Sequence, residues 1–342
     1  MDEGLIECVP NFSEGRNQDI INEIANSITS ENNVSLLDVD SSKDFNRTVF
    51  TFVGNKKNVL NAAINCTKKG LELIDMRGQK GEHARMGAVD VVPFIPISNS
   101  SMEECIELSN KFAKEIGENS GIPVYLYANA ARSEQRKSLP NIRKGEYEGL
   151  KNKILQNEWS PDYGPQKFIP ESGAMATGAR SVLIAFNINL NTHDKTLANS
   201  IAGKIRTSGV LKKDESGNKI LDKNGKPERI KGMFSDLQAA GWMYDKKTAQ
   251  VSMNLLDFSH TGMHEVMEEI KKQASKKGLE VTAGELVGLV PLNAIIDSGR
   301  YYHSNPNDAS IDELVDAGIE GLMLNKLNKF IPEKRIIEWA AK

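Results

Sequence analysis

The order of the apolar segments constrains the fold of this chain more than any other feature of its sequence. In the first half, short apolar runs that predict strands alternate with segments in which apolar residues recur at helical spacing, as at Ile20, Ile24 and Ile28. The strands are predicted at residues 5–9, 34–40, 47–54 and 88–97, with helices around 20–28 and 56–74. This order of strand, helix, strand, strand, helix, strand is the βαββαβ arrangement of ferredoxin-like folds.

The second half of the chain repeats this order. Its strands are predicted at residues 181–190, 233–242, 249–256 and 279–286, with helices at 197–205 and 263–277. Two similar halves account for the length of 342 residues, so we expect an α+β protein with two ferredoxin-like βαββαβ subdomains, residues 1–180 and 181–342. Each is expected to have an antiparallel or mixed sheet with helices packed on one face. Between them we expect a cleft, a frequent place for small-molecule sites.

Four segments lie outside this repeat. The first half also carries a predicted helix at 102–116 and a strand at 123–128. Residues 130–170 are charged and contain several prolines, and we place the connection between the halves near their end. Residues 211–231 are rich in Lys, Asp and Gly and predict an exposed hairpin whose charges are solvated.

Composition and charge narrow the classes of function. The formal net charge is −3, so the chain lacks the basic footprint of nucleic-acid-binding proteins. The three cysteines, Cys8, Cys66 and Cys105, are far apart and odd in number, so neither a disulfide framework nor a zinc knuckle is predicted. The N-terminal residues lack an export signal, and no apolar run approaches the roughly 18 residues of a membrane helix. We therefore expect a cytoplasmic protein whose partners are small molecules or a second copy of itself, with no nucleic acid and no membrane.

The loop before the fourth predicted strand carries a candidate catalytic residue. Gly81 and Gly87 bracket Glu82, His83 and Arg85, and glycine permits backbone shapes that other residues avoid. We interpret this segment as a loop that brings His83 to the edge of a sheet. With a pKa of about 6.5, a histidine can act as a general acid or base at neutral pH. Alternatively, His83 bonds to Glu82 or a carbonyl and only holds the loop; the local sequence does not separate these interpretations.

Other motifs for catalysis are weak or absent. His260 and His264 are four residues apart, but Thr261 stands where a zincin motif has glutamate. No metal site is predicted from this pair. The sequence has neither a Gly-x-x-x-x-Gly-Lys-Ser/Thr phosphate loop nor the Gly-x-Ser-x-Gly motif of serine hydrolases.

A second candidate site is a stiff loop near the middle of the chain. Its ten residues are Gly164, Pro165, Gln166, Lys167, Phe168, Ile169, Pro170, Glu171, Ser172 and Gly173. Such a loop could hold a flat heterocycle against Phe168 and place Lys167 near an anionic group. Composition alone favours the alternative, a rigid linker between domains.

A series of motifs, in order along nearly the whole chain, makes the sequence recognisable. They are ECVPNFSEG at 7–15, LLDVD at 36–40, NRT at 46–48, GEH at 81–83 with RMGA at 85–88, DYGP at 162–165, GAR at 178–180, AFNINL at 185–190 and PEKRIIE at 332–338. Together they resemble the glutamate formimidoyltransferase family, which includes the N-terminal domain of the bifunctional formimidoyltransferase-cyclodeaminases.

The resemblance implies a reaction and a set of site residues. The family transfers a formimidoyl group between N5 of tetrahydrofolate and L-glutamate, giving N-formimidoyl-L-glutamate, in the breakdown of histidine. The catalytic histidine of the family corresponds to His83, and an aspartate near it corresponds to Asp40. The folate-binding segment corresponds to residues 164–173, which replaces the linker interpretation. Relatives also suggest a homodimer, with tetrahydrofolate as co-substrate. The transfer chemistry itself requires no metal.

From this chemistry we predict that His83 accepts a proton from the glutamate ammonium and returns one to N5, while Asp40 fixes the imidazole tautomer. The substrates carry carboxylates, so local cations must bind them, and the candidates are Arg47, Arg85 and Arg180. Each could instead form a structural ion pair. Asn187 and Asn189 could donate hydrogen bonds to pterin or glutamate, or could satisfy a neighbouring strand end.

Two departures from the family pattern and two other functions stay open. Ala84 stands where relatives often have proline, and the 211–231 excursion is longer than in the mammalian form. The chain stops where bifunctional relatives continue, so we expect no cyclodeaminase activity. The alternative functions are a formyltransferase that uses 5-formyltetrahydrofolate and a folate-binding protein that performs no chemistry.

Overall fold

The computed structural model describes residues 4–342, which form two compact units. The first unit extends to Ser181 and includes Ala341 and Lys342, and the second unit is Val182–Ala340. Within the described part of the chain, every helix is too short or too polar to cross a membrane.

The first unit combines seven strands with five α-helices among its described residues. The strands are β1 (Leu5–Cys8), β2 (Asn11–Phe12), β3 (Val34–Ser42), β4 (Arg47–Gly54), β5 (Val89–Ser98), β6 (Val124–Ala128) and β7 (Met175–Ala179). The helices are α1 (Gln18–Thr29), α2 (Lys56–Leu73), α3 (Met102–Asn119), α4 (Leu139–Arg143) and α5 (Glu146–Lys153).

Local sequence explains where two of the longer helices begin. The Asn17 side chain caps α1 by accepting from the backbone N–H groups of Asp19 and Ile20. In α3, Ser101 and Glu104 form a capping box. These caps satisfy N–H groups that have no partner inside the helix, so each helix starts directly after its capping residue.

The seven strands form one mixed sheet. Its order is β3, β4, then β1 and β2 end to end, then β5, β7 and β6. Pro10 separates β1 from β2, because proline has no backbone N–H to continue the ladder. The pairs that involve β1 to β4 are antiparallel, whereas β7 pairs in parallel with both β5 and β6.

Helices cover both faces of the parallel part of this sheet. The main core packs α1, α2 and α3 against one face. On the other face a smaller core joins Tyr125 and Tyr127 of β6 to Ile142, Leu150 and Ile154 of the α4–α5 segment. The prediction of helices on one face therefore needs correction here. Parallel strands are usually buried on both sides, and β6 alternates residues between the two cores.

The second unit is a four-stranded antiparallel sheet with helices and a separate hairpin. Its strands are β8 (Ile184–Leu190), β9 (Val210–Leu211), β10 (Arg229–Ile230), β11 (Leu237–Met243), β12 (Ala249–Leu255) and β13 (Val281–Val287). Its helices are α6 (Lys195–Ile205), α7 (Met263–Ser275), α8 (Leu292–Tyr302), α9 (Ile311–Gly321), α10 (Pro332–Arg335) and α11 (Ile337–Ala340). The sheet order is β11, β12, β8, β13, and β9 pairs with β10 as the predicted hairpin.

The three cysteines are buried and form no disulfide, as predicted. Burial raises the pKa of Cys66 and of Cys105 to about 12. Thiols with such a pKa stay protonated at neutral pH and are poor nucleophiles. The cysteines therefore contribute to packing.

Candidate active site around His83

His83 lies in the loop between α2 and β5, and this loop is held from several sides. The Gln79 side chain donates to Glu14 (3.1 Å) and also contacts Asn46. Asn46 Nδ2 donates to the carbonyl of Lys80 (3.2 Å). On the other side of the histidine, Ser13 Oγ donates to the carbonyl of Gly87 (2.7 Å). The backbone that carries His83 is thus fixed before and after it.

The imidazole is half-buried and lines a small pocket. The Phe45 ring lies edge-on to it, with 6.5 Å between the ring centroids. The other residues that line this pocket are Phe12, Ser13, Asn46, Arg47, Arg85 and Asp90. An imidazole, cations and a carboxylate therefore share one concave site.

The surroundings of His83 favour its neutral form. Its pKa lies below the ordinary value of 6.5, chiefly because burial disfavours the charged ring, and secondly because Arg47 and Arg143 repel a positive charge. The carboxylate of Asp90 and a hydrogen bond with the backbone of Ala84 act in the opposite direction. At neutral pH the ring is therefore an acceptor of protons, as a general base must be.

Asp90 is a buried residue of this pocket that the sequence analysis did not single out. It lies in the apolar strand β5 and is only 2% exposed. Its Oδ1 accepts from the backbone N–H of Met86 (2.8 Å), and its Oδ2 accepts from Arg143 Nε (2.9 Å) and from a second guanidinium nitrogen. The available signal was a single acidic residue inside an apolar run, which in a buried strand needs a specific partner.

Asp40, the aspartate predicted to fix the imidazole tautomer, lies on a different strand from Asp90. It is exposed on β3, paired in register with Val49 of β4. Its carboxylate raises the pKa of Arg47 and is not among the groups that chiefly shift His83. The role of Asp40 in fixing the imidazole tautomer stays a prediction.

The predicted folate-binding segment lies directly against the His83 loop. Gly87 and Gly173 form an isolated antiparallel bridge. The N–H of Ala88 donates to the carbonyl of Ser172 (2.9 Å), and the N–H of Ala174 donates to the carbonyl of Met86 (3.2 Å). A Cβ on Gly173 would lie 2.2 Å from the Met86 oxygen, so the close approach requires glycine. The structure thus brings together two segments that are about 90 residues apart in the sequence.

The side chains of residues 164–173 differ in their burial and in their contacts with the rest of the unit. The hydroxyl of Ser172 is buried and has no hydrogen-bond partner. The Phe168 ring packs near Tyr147, with 5.4 Å between centroids, whereas Lys167 is exposed. The other contacts are Gln166 to the Ile154 carbonyl (3.0 Å), Glu171 to Arg77 (3.0 Å), and Tyr147 Oη to the Pro170 carbonyl (2.6 Å).

The three candidate arginines have different surroundings. Arg85 is buried and forms ion pairs with Glu146 (3.1 Å) and Glu148 (2.8 Å), which is the ion-pair alternative. Arg180 donates to the Ser181 carbonyl (3.0 Å). The Nε of Arg47 is buried without a hydrogen-bond partner, and burial lowers the pKa of this residue. Of the three, Arg47 has an unused donor beside His83.

Asn187 and Asn189 belong to the second unit and are both buried there. Asn187 donates to Glu285 (3.1 Å) and accepts from the backbone N–H of Met253 (3.3 Å). Asn189 accepts from Gln250 (2.9 Å), which also donates to Glu285 (3.3 Å). The amides therefore form a polar network across β12, β8 and β13.

The two spaced histidines have separate partners. His260 Nδ1 lies 2.9 Å from a carboxylate oxygen of Asp236, and the His264 ring stacks on Tyr301, with 4.9 Å between centroids. Across residues 4–342, no group of three or more His, Cys, Asp or Glu side chains is arranged to hold a metal ion.

Fold and site together define an α+β protein with a neutral histidine in a polar pocket, an arrangement suited to acid–base chemistry on small anionic molecules. Comparison with known proteins makes this more specific. The chain matches the formiminotransferase domain, N-terminal subdomain, over residues 5–180, and the formiminotransferase domain over residues 185–342. The chain belongs to the formiminotransferase family, as its motifs predicted.

Individual relatives agree with this assignment. A formimidoyltransferase-cyclodeaminase of Dictyostelium discoideum is 46% identical over 98% of this chain, and one of Sus scrofa is 44% identical over 98%. This chain spans about three fifths of the length of these two proteins. A glutamate formimidoyltransferase of Streptococcus pyogenes serotype M1 is 40% identical over 87% of this chain and 93% of its own length.

Proposed function

We propose that this chain is a glutamate formimidoyltransferase, which transfers the formimidoyl group between N5 of tetrahydrofolate and L-glutamate. The observation that carries the proposal is the half-buried, neutral His83, which lies beside the unused Arg47 donor and in a loop bridged to residues 164–173. The Streptococcus pyogenes relative, a glutamate formimidoyltransferase, points to the same activity. In the family, this reaction belongs to histidine degradation.

The residues present fit a folate co-substrate. The buried hydroxyl of Ser172 lacks a hydrogen-bond partner, and a buried polar group without a partner costs free energy. A polar ring system against residues 164–173 would satisfy it, and Phe168 offers an aromatic surface in the same segment. Tetrahydrofolate supplies the nitrogen that carries the one-carbon group.

His83 moves the protons that the transfer requires. As a neutral base, its imidazole accepts a proton from the glutamate ammonium, so the amine can attack the formimidoyl carbon. As the resulting acid, it returns a proton to the departing N5. Asp40 keeps its predicted role of fixing the tautomer. The pocket holds the reacting groups together, which adds to the rate by removing orientational freedom.

Arg47 is proposed to bind a substrate carboxylate. We expect Arg47→Gln to raise the KM for glutamate by about 10-fold or more, because a hydrogen bond to a charged group contributes about 1.5–3 kcal/mol, with a smaller change in kcat. Steady-state kinetics with varied glutamate measures both constants. Arg85→Gln is the matched control: Glu146 and Glu148 already neutralise Arg85, so its KM should stay near the wild-type value. An unchanged KM in Arg47→Gln would exclude the contact.

The proposed reaction is tested by comparing donors with the purified chain. With glutamate as acceptor, 5-formimidoyltetrahydrofolate is expected to react at least about 10-fold faster than 5-formyltetrahydrofolate, as a site that bonds to an N–H group discriminates strongly against an isostere that lacks it. A faster reaction with the formyl donor would identify a formyltransferase. Folate binding without turnover of either donor would identify a binding protein. Either of these two results would overturn the proposal.

The same proposal includes finer structural expectations. Each unit is proposed to be a ferredoxin-like βαββαβ subdomain, residues 1–180 and 181–342. The pairing orders β3–β4–β1–β5 and β11–β12–β8–β13 support this assignment. We further propose a cytoplasmic homodimer, as expected from the family.

A further inference from the structure

The two oxygens of the Asp90 carboxylate have different partners. One bonds to the His83 loop, and the other bonds to helix α4, which comes much later in the sequence. One oxygen accepts from the backbone N–H of Met86, three residues after His83, at 2.8 Å. The other accepts from Arg143 Nε at 2.9 Å. A buried carboxylate is costly unless it is paired and hydrogen-bonded, so a site that only needed packing would favour an apolar residue in this strand.

Arg143 comes from the segment that the sequence presents as charged and irregular. It is the last residue of α4, and its side chain is mostly buried against Asp90. The backbone N–H of Tyr147, just after it, donates to the carbonyl of Arg85 in the His83 loop (2.8 Å). The α4–α5 segment is therefore attached to β5 by a charge pair and to the His83 loop by a backbone hydrogen bond.

We propose that Asp90 and Arg143 are positioning residues for the transfer reaction: Asp90 ties the His83 loop to β5 at Met86, and the pair sets the balance of charge that the imidazole faces. The inference rests on the proposed function of His83. Neither residue is assigned a role by the motif pattern. Both act through His83 rather than on substrate.

The charged groups that chiefly act on His83 come from three different elements. Arg47 comes from β4, Asp90 from β5 and Arg143 from α4. Arg85 of the same loop lines the pocket but is neutralised by two glutamates. Asp90 is thus the carboxylate that offsets two cations. Removing its charge disfavours imidazolium, and removing the charge of Arg143 favours it.

The test measures the protonation of His83 directly. In Asp90→Asn, which keeps an oxygen acceptor for Met86, the midpoint of the His83 titration is expected to move down by about one pH unit. In Arg143→Gln it is expected to move up by a similar amount, and in the double variant it should return close to wild type. Titration of the ring by NMR, with His83→Ala used to assign its signal, gives these midpoints without turnover. The acidic limb of the kcat/KM profile should move with them.

Positioning is tested by a second comparison. Asp90→Ala removes the acceptor for Met86 as well as the charge, so its kcat is expected to fall at least about 10-fold below that of Asp90→Asn. Asp162→Asn is the matched control, since Asp162 is also buried, accepts from a backbone N–H (Leu126, 2.8 Å) and pairs with Arg136 (3.0 Å). It should leave the His83 midpoint unchanged.

The outcomes separate this inference from the proposed function. Midpoints that stay fixed, or that move in the same direction in both single variants, overturn the inference while transfer by the wild type still supports the function. Opposite shifts in a protein without transfer activity support the charge balance and overturn the function. If one single variant does not fold, the other decides: a midpoint that moves in its expected direction supports the inference, and a midpoint at the wild-type value overturns it.

Discussion

Replacing His83 with alanine is expected to lower kcat for formimidoyl transfer by about 10²–10⁴-fold, the usual contribution of a general acid–base residue. The reason is that amine attack and departure of N5 each require a proton to move, and the alanine side chain can carry none. Folate binding and the melting temperature should stay near wild type, because the imidazole is only half-buried and the loop is held by other residues. Turnover assays, folate titration and thermal unfolding measure the three quantities.

The pH profile gives this prediction a second readout. Burial and two arginines hold the pKa of His83 below 6.5, so the wild-type kcat/KM should decline only as the pH falls below that value. Below its pKa the ring is protonated and cannot accept a proton. The residual activity of His83→Ala should lack this decline, and added imidazole should restore part of the rate.

His193→Ala provides the matched control for a histidine substitution. His193 is exposed in the second unit, and its removal should leave kcat and its pH dependence unchanged. Near-normal turnover in His83→Ala would rule out the acid–base role. A loss of folding in this variant would instead show that the ring holds the loop.

Replacing Gly173 with alanine is expected to cost about 3 kcal/mol or more in the free energy of unfolding. Two effects add. Gly173 has a φ of +69°, which other residues adopt at a cost, and a Cβ would lie 2.2 Å from the Met86 oxygen and 2.8 Å from the Gly87 Cα. The two segments must separate to make room. Because this bridge joins the His83 loop to residues 164–173, folate affinity and kcat should fall together.

Gly121→Ala isolates the first effect, the cost of the positive φ. Gly121 has nearly the same φ, +67°, but nothing lies within 4 Å of its Cβ position. Its substitution should cost only about 1–2 kcal/mol, the price of the left-handed backbone, and should leave activity intact. Urea unfolding followed by fluorescence compares the two variants. Equal losses of stability would mean that the contact between the segments contributes nothing.

Strands with clear apolar patterns were predictable from the sequence. The third and fourth predicted strands lie within one residue of β4 and β5, and the hairpin signals near residue 217 mark the β9–β10 excursion. Each of these elements carries its own signal, because its side chains alternate or end at turn residues. The family, too, was evident from motifs in order along the chain.

Elements defined by distant contacts were not predictable. Strand β7 reads MATGA, with no large apolar residue except Met175, and is a strand because β5 and β6 pair with it on either side. Helices α4 and α5 are short, and only Ile142 and Leu150 in them are buried. Their sequence is typical of a surface linker. Burial against the second face of the sheet outweighs that local preference.

The candidate site, too, has one part that could be predicted from the sequence and other parts that could not. His83 lies in a motif that can be found in sequence, whereas the Asp90–Arg143 pair joins residues that are 53 positions apart. The bridge at Gly173 likewise depends on strand order, which no local pattern encodes. The unused donors of Arg47 and Ser172 become visible only when all their neighbours are placed.

The position of β7 also governs how this unit is made on the ribosome. It is the last strand of its sheet to be synthesised, yet it lies between β5 and β6. A nascent chain that ends before Met175 has an open edge on β5, and such edges recruit strands from other chains. Gly173 lies two residues before β7, so we expect its bridge to Gly87 of the His83 loop to form only when that strand inserts. We therefore expect the yield of folded protein to depend on protection of this edge during synthesis, in addition to the stability of the finished protein.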